Sequence, residues 1–243
     1  RSGTVKILAL ESSGLVASVA VWEDYKIIGE FSTNFKKTHS QTLLPMLDKV
    51  VQMLELKLED IDAIAVSKGP GSFTGLRIGS ATAKGLGLAL DKPLIGVPTV
   101  DALAYNLYGT DRLICPMMDA RRAQVYTGLY TFEDGQFKIV CPQKACSIEE
   151  ITGQINALGK ETILLGDGVP VYENMIQNML HVPYSMAPAH LAYQRAGALA
   201  SLAAVYFEEG KTETAKAFKP DYLRVSQAER ELMEKDKSYR PQA

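Results

Sequence analysis

Residues 67–79 read Ser67-Lys-Gly-Pro-Gly-Ser-Phe-Thr-Gly-Leu-Arg-Ile-Gly79. The apolar run at 61–67 predicts a buried strand, and the pattern over about 74–90 predicts a helix. A turn between them exposes backbone N–H groups at the helix N-terminus, which suits anions and phosphates. It has neither the Gly-Lys-Ser/Thr ending of a Walker A loop nor the Gly-x-Gly-x-x-Gly spacing of dinucleotide-binding loops, so a phosphate contact and a purely structural turn both remain open. The glycine-rich turn comprises Gly69, Pro70, Gly71, Ser72, Phe73 and Thr74.

Small residues recur at every fourth position of the predicted helix, at Gly75, Gly79, Ala83 and Gly87. Glycine costs about 1 kcal/mol relative to alanine inside a helix, so the three glycines of this stripe indicate close packing. Two interpretations follow. In the first, the stripe seats the helix against its own sheet. In the second, the stripe or the helix face beside it docks against a helix of another chain.

The chain before this turn reads as a meander followed by an amphipathic helix. The β-type segments lie at 6–11, 16–22 and 26–31. A helical pattern then places Leu43, Leu47, Val50 and Leu54 on one face, with Ser40 and Thr42 as candidate caps. With a further strand at 93–97, the first half has the order βββαβαβ.

The second half repeats this plan. Ser147 and Glu150 resemble a capping box at the start of a helix that ends near 158. The remaining predicted segments are strands at 113–118, 125–130, 137–140 and 162–165, and helices at 171–180 and 190–209.

The sequence therefore predicts an α/β fold made of a duplicated βββαβα unit in two lobes. The first lobe is expected to cover 4–100 and the second 101–225, with the long helix near 190–209 packing back on the first lobe. The charge-rich tail at 226–243 is expected to be poorly ordered.

Composition narrows the function classes. A net charge of -2 gives no global electrostatic reason to attract nucleic acid, so any RNA contact is expected to be shared or indirect. The three cysteines, Cys115, Cys141 and Cys146, include no Cys-x-x-Cys pair, which argues against a disulfide framework or a structural zinc site. No apolar run approaches the roughly 18 residues of a membrane helix, and no secretory signal pattern is seen. We expect a cytoplasmic protein without membrane contact.

Five blocks of the sequence carry a specific resemblance: Leu8-Ala-Leu-Glu-Ser-Ser13, residues 68–79, Ala83-Lys-Gly85, Asp119-Ala-Arg-Arg122 and Pro220-Asp-Tyr-Leu-Arg224. They resemble the bacterial TsaB family, also called YeaZ. The resemblance covers nearly the whole chain, and the glycine block with its flanks is long and specific.

This resemblance implies the two-lobed actin-like ATPase (ASKHA) fold and a scaffold role. The family belongs to the machinery that places a threonylcarbamoyl group on the adenosine next to the anticodon of tRNAs reading codons that begin with A, the t6A modification. The implied partners are the catalytic paralogue TsaD, in a heterodimer, and the ATPase TsaE. Alone, the chain would form a homodimer through the same surface, and tRNA would be bound only within the complex. No cofactor is expected in this subunit, with ATP and metal in its partners.

By the same resemblance the two helices of the first lobe would bind TsaD. The candidate partner-interface residues are Leu43, Leu47, Val50, Leu54, Gly75, Arg77, Ile78, Gly79, Ala81, Ala83 and Lys84.

The resemblance also implies that the catalytic metal of the paralogue is absent. TsaD follows the strand that matches 94–97 with a His-x-x-x-His pair that binds its metal, and those positions here are Thr99 and Leu103. Leucine cannot ligate a metal ion. His39, His181 and His190 form no chelating pair, and for His39, just before a helix, a cap or surface role is favoured. We expect no catalytic residue and no metal site.

An alternative from another class is a small-molecule phosphotransferase that uses the glycine-rich turn and Glu11. Glu11 and Asp119 each follow the first strand of their half, where actin-like kinases hold magnesium with acidic residues. Solvated strand-end carboxylates are the favoured interpretation. A peptidase is disfavoured, because neither a nucleophile paired with a base nor a His-Glu-x-x-His motif is present.

Overall fold

A computed structural model describes residues 3–35 and 38–223. The first half contains β1 (Lys6–Glu11), β2 (Ala17–Glu23), β3 (Lys26–Thr33), α1 (His39–Met53), a short 3₁₀ helix (Leu58–Asp60), β4 (Ala63–Gly69), α2 (Phe73–Leu90) and β5 (Leu94–Pro98). The rest contains α3 (Thr99–Tyr105), β6 (Leu113–Asp119), β7 (Gln124–Glu133), β8 (Gln136–Ser147), α4 (Ile148–Leu158), β9 (Thr162–Leu165), α5 (Gly168–Val171), α6 (Glu173–Met179), β10 (Tyr184–Met186) and α7 (Ala196–Glu208).

The two halves form two five-stranded sheets with the same topology. The strand orders are β3-β2-β1-β4-β5 and β8-β7-β6-β9-β10. In each sheet the first three strands pair antiparallel and the last two run parallel to the first. The predicted α/β fold, a βββαβα unit duplicated in two lobes, is confirmed.

The first sheet is covered on both faces. Successive residues of β1 point to opposite sides, as the two-residue period of a strand requires. Leu8 and Leu10 pack under α1 and α2, whereas Ile7 and Ala9 pack under α7. α7 therefore covers the first lobe, although it follows the second lobe in the chain.

The chain stays with the first lobe after α7. Leu94 at the edge of β5 exchanges backbone hydrogen bonds with Glu213 (2.8 and 2.9 Å). Ala215 and Phe218 are then buried in the core beneath α1 and α2. The chain thus leaves the second lobe earlier than the predicted boundary at 225. The tail predicted over 226–243 lies outside the described residues.

Several predicted boundaries were wrong. α7 begins at Ala196 rather than near 190, because the side-chain amide of Asn106 donates to the carbonyl oxygens of Leu191 (2.9 Å) and Tyr193 (2.7 Å) and holds that segment in turns. β8 is much longer than the predicted strand at 137–140, since Pro142, Gln143 and Lys144 interrupt the apolar pattern that would have extended it. α3 and β10 were not predicted at all. Thr38, rather than Ser40 or Thr42, precedes α1, without a side-chain capping bond.

Candidate functional site

The glycine-rich turn packs against the turn that follows β1. A Cβ on Gly71 would overlap the carbonyl oxygen of Ser13, and one on Gly69 would overlap that of Asp221. The N–H of Ser72 donates to Ser13 O (2.7 Å), and the Ser72 hydroxyl caps α2 by accepting from Gly75 N (3.2 Å). Backbone of the same lobe thus fills the space against the turn, which favours the structural interpretation over a phosphate contact.

The small-residue stripe of α2 seats the helix on its own lobe. A Cβ on Gly75 would overlap Ser12 O, and one on Gly79 would lie 2.6 Å from Ser12 Oγ. Near the other end, a Cβ on Gly87 would lie 2.5 Å from Leu94 Cδ1, and Ala83 is fully buried. The prediction that Gly75, Gly79 and Ala83 contact a partner is therefore wrong, since these positions face the sheet.

The same correction applies to α1. Leu43, Leu47 and Val50 are 0%, 5% and 6% exposed and belong to the core of the first lobe, and half-buried Leu54 packs against it. Apolar residues at helical spacing mark the face that a helix buries, but they do not say whether its own sheet or a partner covers that face.

The outward side of this helix pair carries a different set of residues. Arg77 and Ala81 are exposed, and no atom lies within 4 Å of a Cβ built on Gly85. Leu44 is 56% exposed and Leu88 is 60% exposed. We call these five residues the α1–α2 face. Sequence reasoning missed Leu44 and Leu88, although apolar residues on the side of a helix opposite its core stripe would have indicated them.

The other two predicted interface residues, Ile78 and Lys84, are half-buried at the edge of this face. Lys84 Nζ donates to Phe218 O (3.1 Å), which fixes its charge close to the returning chain. The Arg77 guanidinium lies over the Phe73 ring, 4.6 Å from its centroid. Ile78 packs partly against the core. Contact of Arg77, Ile78, Ala81 and Lys84 with a partner stays a prediction.

Glu11 is sealed inside the first lobe. It is 1% exposed, and its carboxylate accepts hydrogen bonds from Ser13 N (2.7 Å), Ser13 Oγ and Ser67 Oγ. Burial raises the pKa of Glu11 above its ordinary value, and the bonds from Ser13 and Ser67 oppose that rise. Glu11 is therefore neither a solvated carboxylate nor one that points into an open phosphate site.

Two further side chains close the turn after β1. His39 Nε2 is hydrogen-bonded to Gly14 O (2.6 Å), so this histidine anchors the start of α1 rather than capping it or facing solvent. Gln194 is 3% exposed. A Cβ built on Gly14 would lie only 2.8 Å from Gln194 Nε2, so the Gln194 side chain packs closely against this turn.

Asp119, at the equivalent position of the second lobe, is also held by its neighbours. Its Oδ1 accepts from Tyr172 Oη (2.7 Å) and Arg121 N (2.8 Å), while its N–H donates to Asp167 Oδ1 (3.0 Å). Burial raises the pKa of Asp167, and the hydrogen bond from Asp119 N opposes that rise.

Within 3–35 and 38–223, no three His, Cys, Asp or Glu side chains are grouped to hold a metal ion.

One family model and several known proteins match nearly the whole chain. The family model "TsaD: tRNA N6-adenosine threonylcarbamoyltransferase" matches residues 26–232. The tRNA threonylcarbamoyladenosine biosynthesis protein TsaB of Bacillus subtilis is 32% identical to this chain, over 95% of the chain and 99% of that protein.

The chain belongs to the TsaB (YeaZ) family.

Other TsaB relatives agree in length and fold. The TsaB protein of Escherichia coli is 29% identical over 96% of this chain and 100% of its own. The solved structure of YeaZ from Pseudomonas aeruginosa superimposes with a TM-score of 0.78 at 28% identity, covering 90% of this chain and all of that one.

The two positions that TsaB is expected to have in place of the paralogue's histidines are both buried. Leu103 is 1% exposed within the core that α3 forms with the second sheet, and Thr99 is fully buried with no hydrogen-bond partner for its hydroxyl. Cys115, Cys141 and Cys146 are free thiols. Burial raises the pKa of Cys115 to about 12, which keeps its thiol protonated.

In the described part of this TsaB-family chain, no helix is long and apolar enough to cross a bilayer.

Proposed function

We propose that this chain is a non-catalytic scaffold that binds TsaD and is required for threonylcarbamoyl transfer to tRNA in t6A biosynthesis. The names of its relatives place them in that biosynthesis. In this proposal TsaE joins the complex, tRNA is bound only by the complex, and ATP and metal belong to the partner subunits. Alone, the chain would pair with a second copy through the α1–α2 face.

The observation that carries the non-catalytic role is the sealed turn after β1. The Glu11 carboxylate is saturated by Ser13 and Ser67, and the glycine-rich turn, His39 and Gln194 surround the turn. A kinase of this architecture needs an acidic group and open backbone N–H groups at this position to hold magnesium and phosphate. No observation favours the phosphotransferase alternative.

The α1–α2 face supports the partner-binding role. Ala81 and Gly85 present almost no side-chain volume, so the helix of a partner can approach α2 closely. Leu44 and Leu88 offer apolar area that the lobe leaves uncovered. Specific interfaces bury about 800 Å² per partner, which a helix pair of this length can supply.

The direct test combines binding and activity. The purified chain is mixed with its cognate TsaD, the mass of the complex is measured by light scattering, and threonylcarbamoyl transfer to tRNA is assayed with and without the chain. We expect a one-to-one complex whose activity depends on this chain. Absence of a complex, together with ATP turnover by this chain alone that is lost in Glu11→Gln, would instead establish the phosphotransferase.

A pair of matched variants tests the placement of the surface. Ala81→Arg adds a long charged side chain to the α1–α2 face, and Ala157→Arg adds the same side chain to exposed α4 in the other lobe. We expect Ala81→Arg to weaken the complex at least about tenfold, roughly 1.4 kcal/mol, with Ala157→Arg unchanged. Equal affinity of both variants would show that TsaD binds elsewhere.

A further inference from the structure

A groove lined with aromatic rings lies on the other side of the first lobe from the α1–α2 face. It runs between the β2–β3 hairpin, α7 and the end of α3, with a cavity volume of about 690 Å³. Trp22, Tyr25, Tyr105 and Tyr108 contribute their rings. None of the residues of the α1–α2 face lines it, so the proposed TsaD surface does not account for this groove.

The rings form two edge-to-face pairs. Trp22 packs against Tyr25 with their centroids 5.6 Å apart, and Tyr105 packs against Tyr108 at the same separation. Tyr25 is 84% exposed and Tyr108 is 62% exposed. Each pair therefore presents one ring that is anchored in the protein and one that is open to a ligand.

Tyr25 occupies a backbone conformation that suits other residues better. Asp24 and Tyr25 form the two-residue turn between Glu23 and Lys26, with φ of 40° and 68°. Such turns favour Asn or Gly, and a bulky residue with positive φ is an outlier. Because the Tyr25 side chain is largely exposed, little burial within the lobe offsets the strain. Strained residues cluster at functional sites, so this conformation supports a functional role for the exposed Tyr25 ring.

The charges in the groove favour a cationic ligand. Arg195 donates to Glu30 Oε2 (2.8 Å), so the charges of Arg195 and Glu30 neutralise each other. Gly197 N also donates to the Glu30 carboxylate, at Oε1 (3.1 Å). Glu208 has no ion pair within 3–35 and 38–223, and receives only a long bond from the Tyr25 hydroxyl (3.4 Å). The groove thus retains one negative charge, which repels phosphate and attracts a cation.

We propose that this groove binds an extended segment of a partner protein and takes an arginine or lysine side chain between its rings, beside Glu208. Aromatic faces attract such cations, and the Glu208 carboxylate pairs with the charged end. Ile27 and Val205, each 39% exposed, line the same groove and suit apolar side chains that flank the cation in a peptide. The lining carboxylates argue against RNA as the occupant, because its phosphates would be repelled.

The chain carries its own reporter for this site. Trp22 is the single tryptophan in the sequence, so tryptophan emission reports on the groove directly. The full chain is titrated with a pool of acetylated octapeptides that carry arginine at a fixed central position between leucine, valine or proline. A matched pool carries citrulline, which has nearly the shape of arginine without its charge. We expect a saturable emission change with the arginine pool and at least about threefold weaker binding of the citrulline pool.

Variants separate a binding role from a structural one. Tyr25→Gly removes the ring and gives the turn a residue suited to positive φ, so we expect about tenfold weaker peptide binding with an unchanged or higher melting temperature. Glu208→Gln should weaken binding of the arginine pool while leaving the citrulline pool unchanged. Leu158→Ala, on exposed α4 of the second lobe, is the control and should leave the binding of both pools unchanged.

The proposal is overturned by the absence of a saturable response, by equal binding of the two pools, or by full binding in Tyr25→Gly. Spermidine that saturates the emission change at lower concentration than the arginine pool would identify a small-cation pocket instead. A stronger response to a short single-stranded RNA than to either pool would identify a nucleic-acid site.

Discussion

At the scale of single residues, the turn after β1 leaves no room for added atoms. Ser12 donates through its hydroxyl to Gly75 O (2.8 Å), and its own carbonyl occupies the space that a Cβ on Gly75 would need. Gly85, three turns further along the same helix, faces open space. The same residue type therefore has opposite consequences at two positions of α2.

We expect Gly75→Ala to lower the free energy of unfolding by about 1–3 kcal/mol, because backbone atoms of Ser12 would have to move. Gly85→Ala should raise it by up to about 1 kcal/mol, since alanine is the better helix former and nothing obstructs its Cβ. Urea unfolding of the two variants measures both values. Stabilisation by Gly75→Ala would contradict the packing described for the turn.

Asp101 is a second residue whose chemistry depends on burial. It is 4% exposed and accepts one hydrogen bond, from Tyr130 Oη (2.6 Å). Burial raises the pKa of the Asp101 carboxyl above its ordinary value of 3.8, and the bond from Tyr130 only partly opposes this. Folding therefore shifts the ionisation of Asp101 towards its protonated form.

The raised pKa of Asp101 makes the stability of the folded chain depend on pH. Above 3.8 the folded chain binds more protons at Asp101 than the unfolded chain does. The stability that Asp101 contributes is therefore fully present below pH 3.8 and is lost as the pH rises through the folded-state pKa of Asp101.

Asp101→Asn keeps an acceptor for Tyr130 without a charge, so it should be more stable than the parent at neutral pH. The difference should shrink on acidification. Thermal melts at several pH values test this, and a pH-independent difference would rule out titration of Asp101 as its cause.

At the scale of elements, α1 buries one face in the core of the lobe and leaves another face exposed. Leu43 is fully buried in the core of the lobe, whereas its neighbour Leu44 is 56% exposed on the α1–α2 face. Adjacent positions of a helix point about 100° apart, so one residue can face the sheet while the next faces a partner.

We expect Leu43→Ala to lower the free energy of unfolding by about 2–5 kcal/mol through loss of core packing. Leu44→Ala should change it by no more than about 0.5 kcal/mol but weaken binding to TsaD. Chemical denaturation and light scattering of the same two preparations separate the effects. If Leu44→Ala bound TsaD like the parent, Leu44 would lie outside the interface.

At the scale of the whole molecule, the two lobes share structural elements. Gln143 on β8 donates to Gly69 O (3.1 Å) and accepts from Val100 N (3.3 Å), so one side chain of the second lobe holds the glycine-rich turn and α3. α7 adds a second connection, because it follows the second lobe and covers the first sheet.

Shared elements predict cooperative unfolding. Trp22 lies in the first lobe alone, whereas far-ultraviolet circular dichroism reports on both lobes. We expect the two probes to give coincident transitions in urea, as for a single cooperative unit. Two separated midpoints would mean that the lobes unfold independently and that Gln143 and α7 couple them only weakly.

The sequence by itself determined the duplicated fold, the strand-turn-helix around residues 67–79 and the family. These features depend on local patterns: apolar runs bounded by turns, four-residue spacing of small side chains, and motifs contiguous in the chain. Ser147 was also identified correctly as a cap, since its hydroxyl accepts from Glu150 N (3.1 Å) three residues away.

Only the tertiary structure decided which surfaces are free. The periodicity of Leu43, Leu47 and Val50 is the same whether a sheet or a partner covers that face, and the sheet covers it here. The closure of Glu11 depends on Ser67, and the aromatic groove joins Trp22 to Tyr108, residues far apart in the chain. Burial and charge pairing are properties of such long-range contacts, so a local pattern constrains them only weakly.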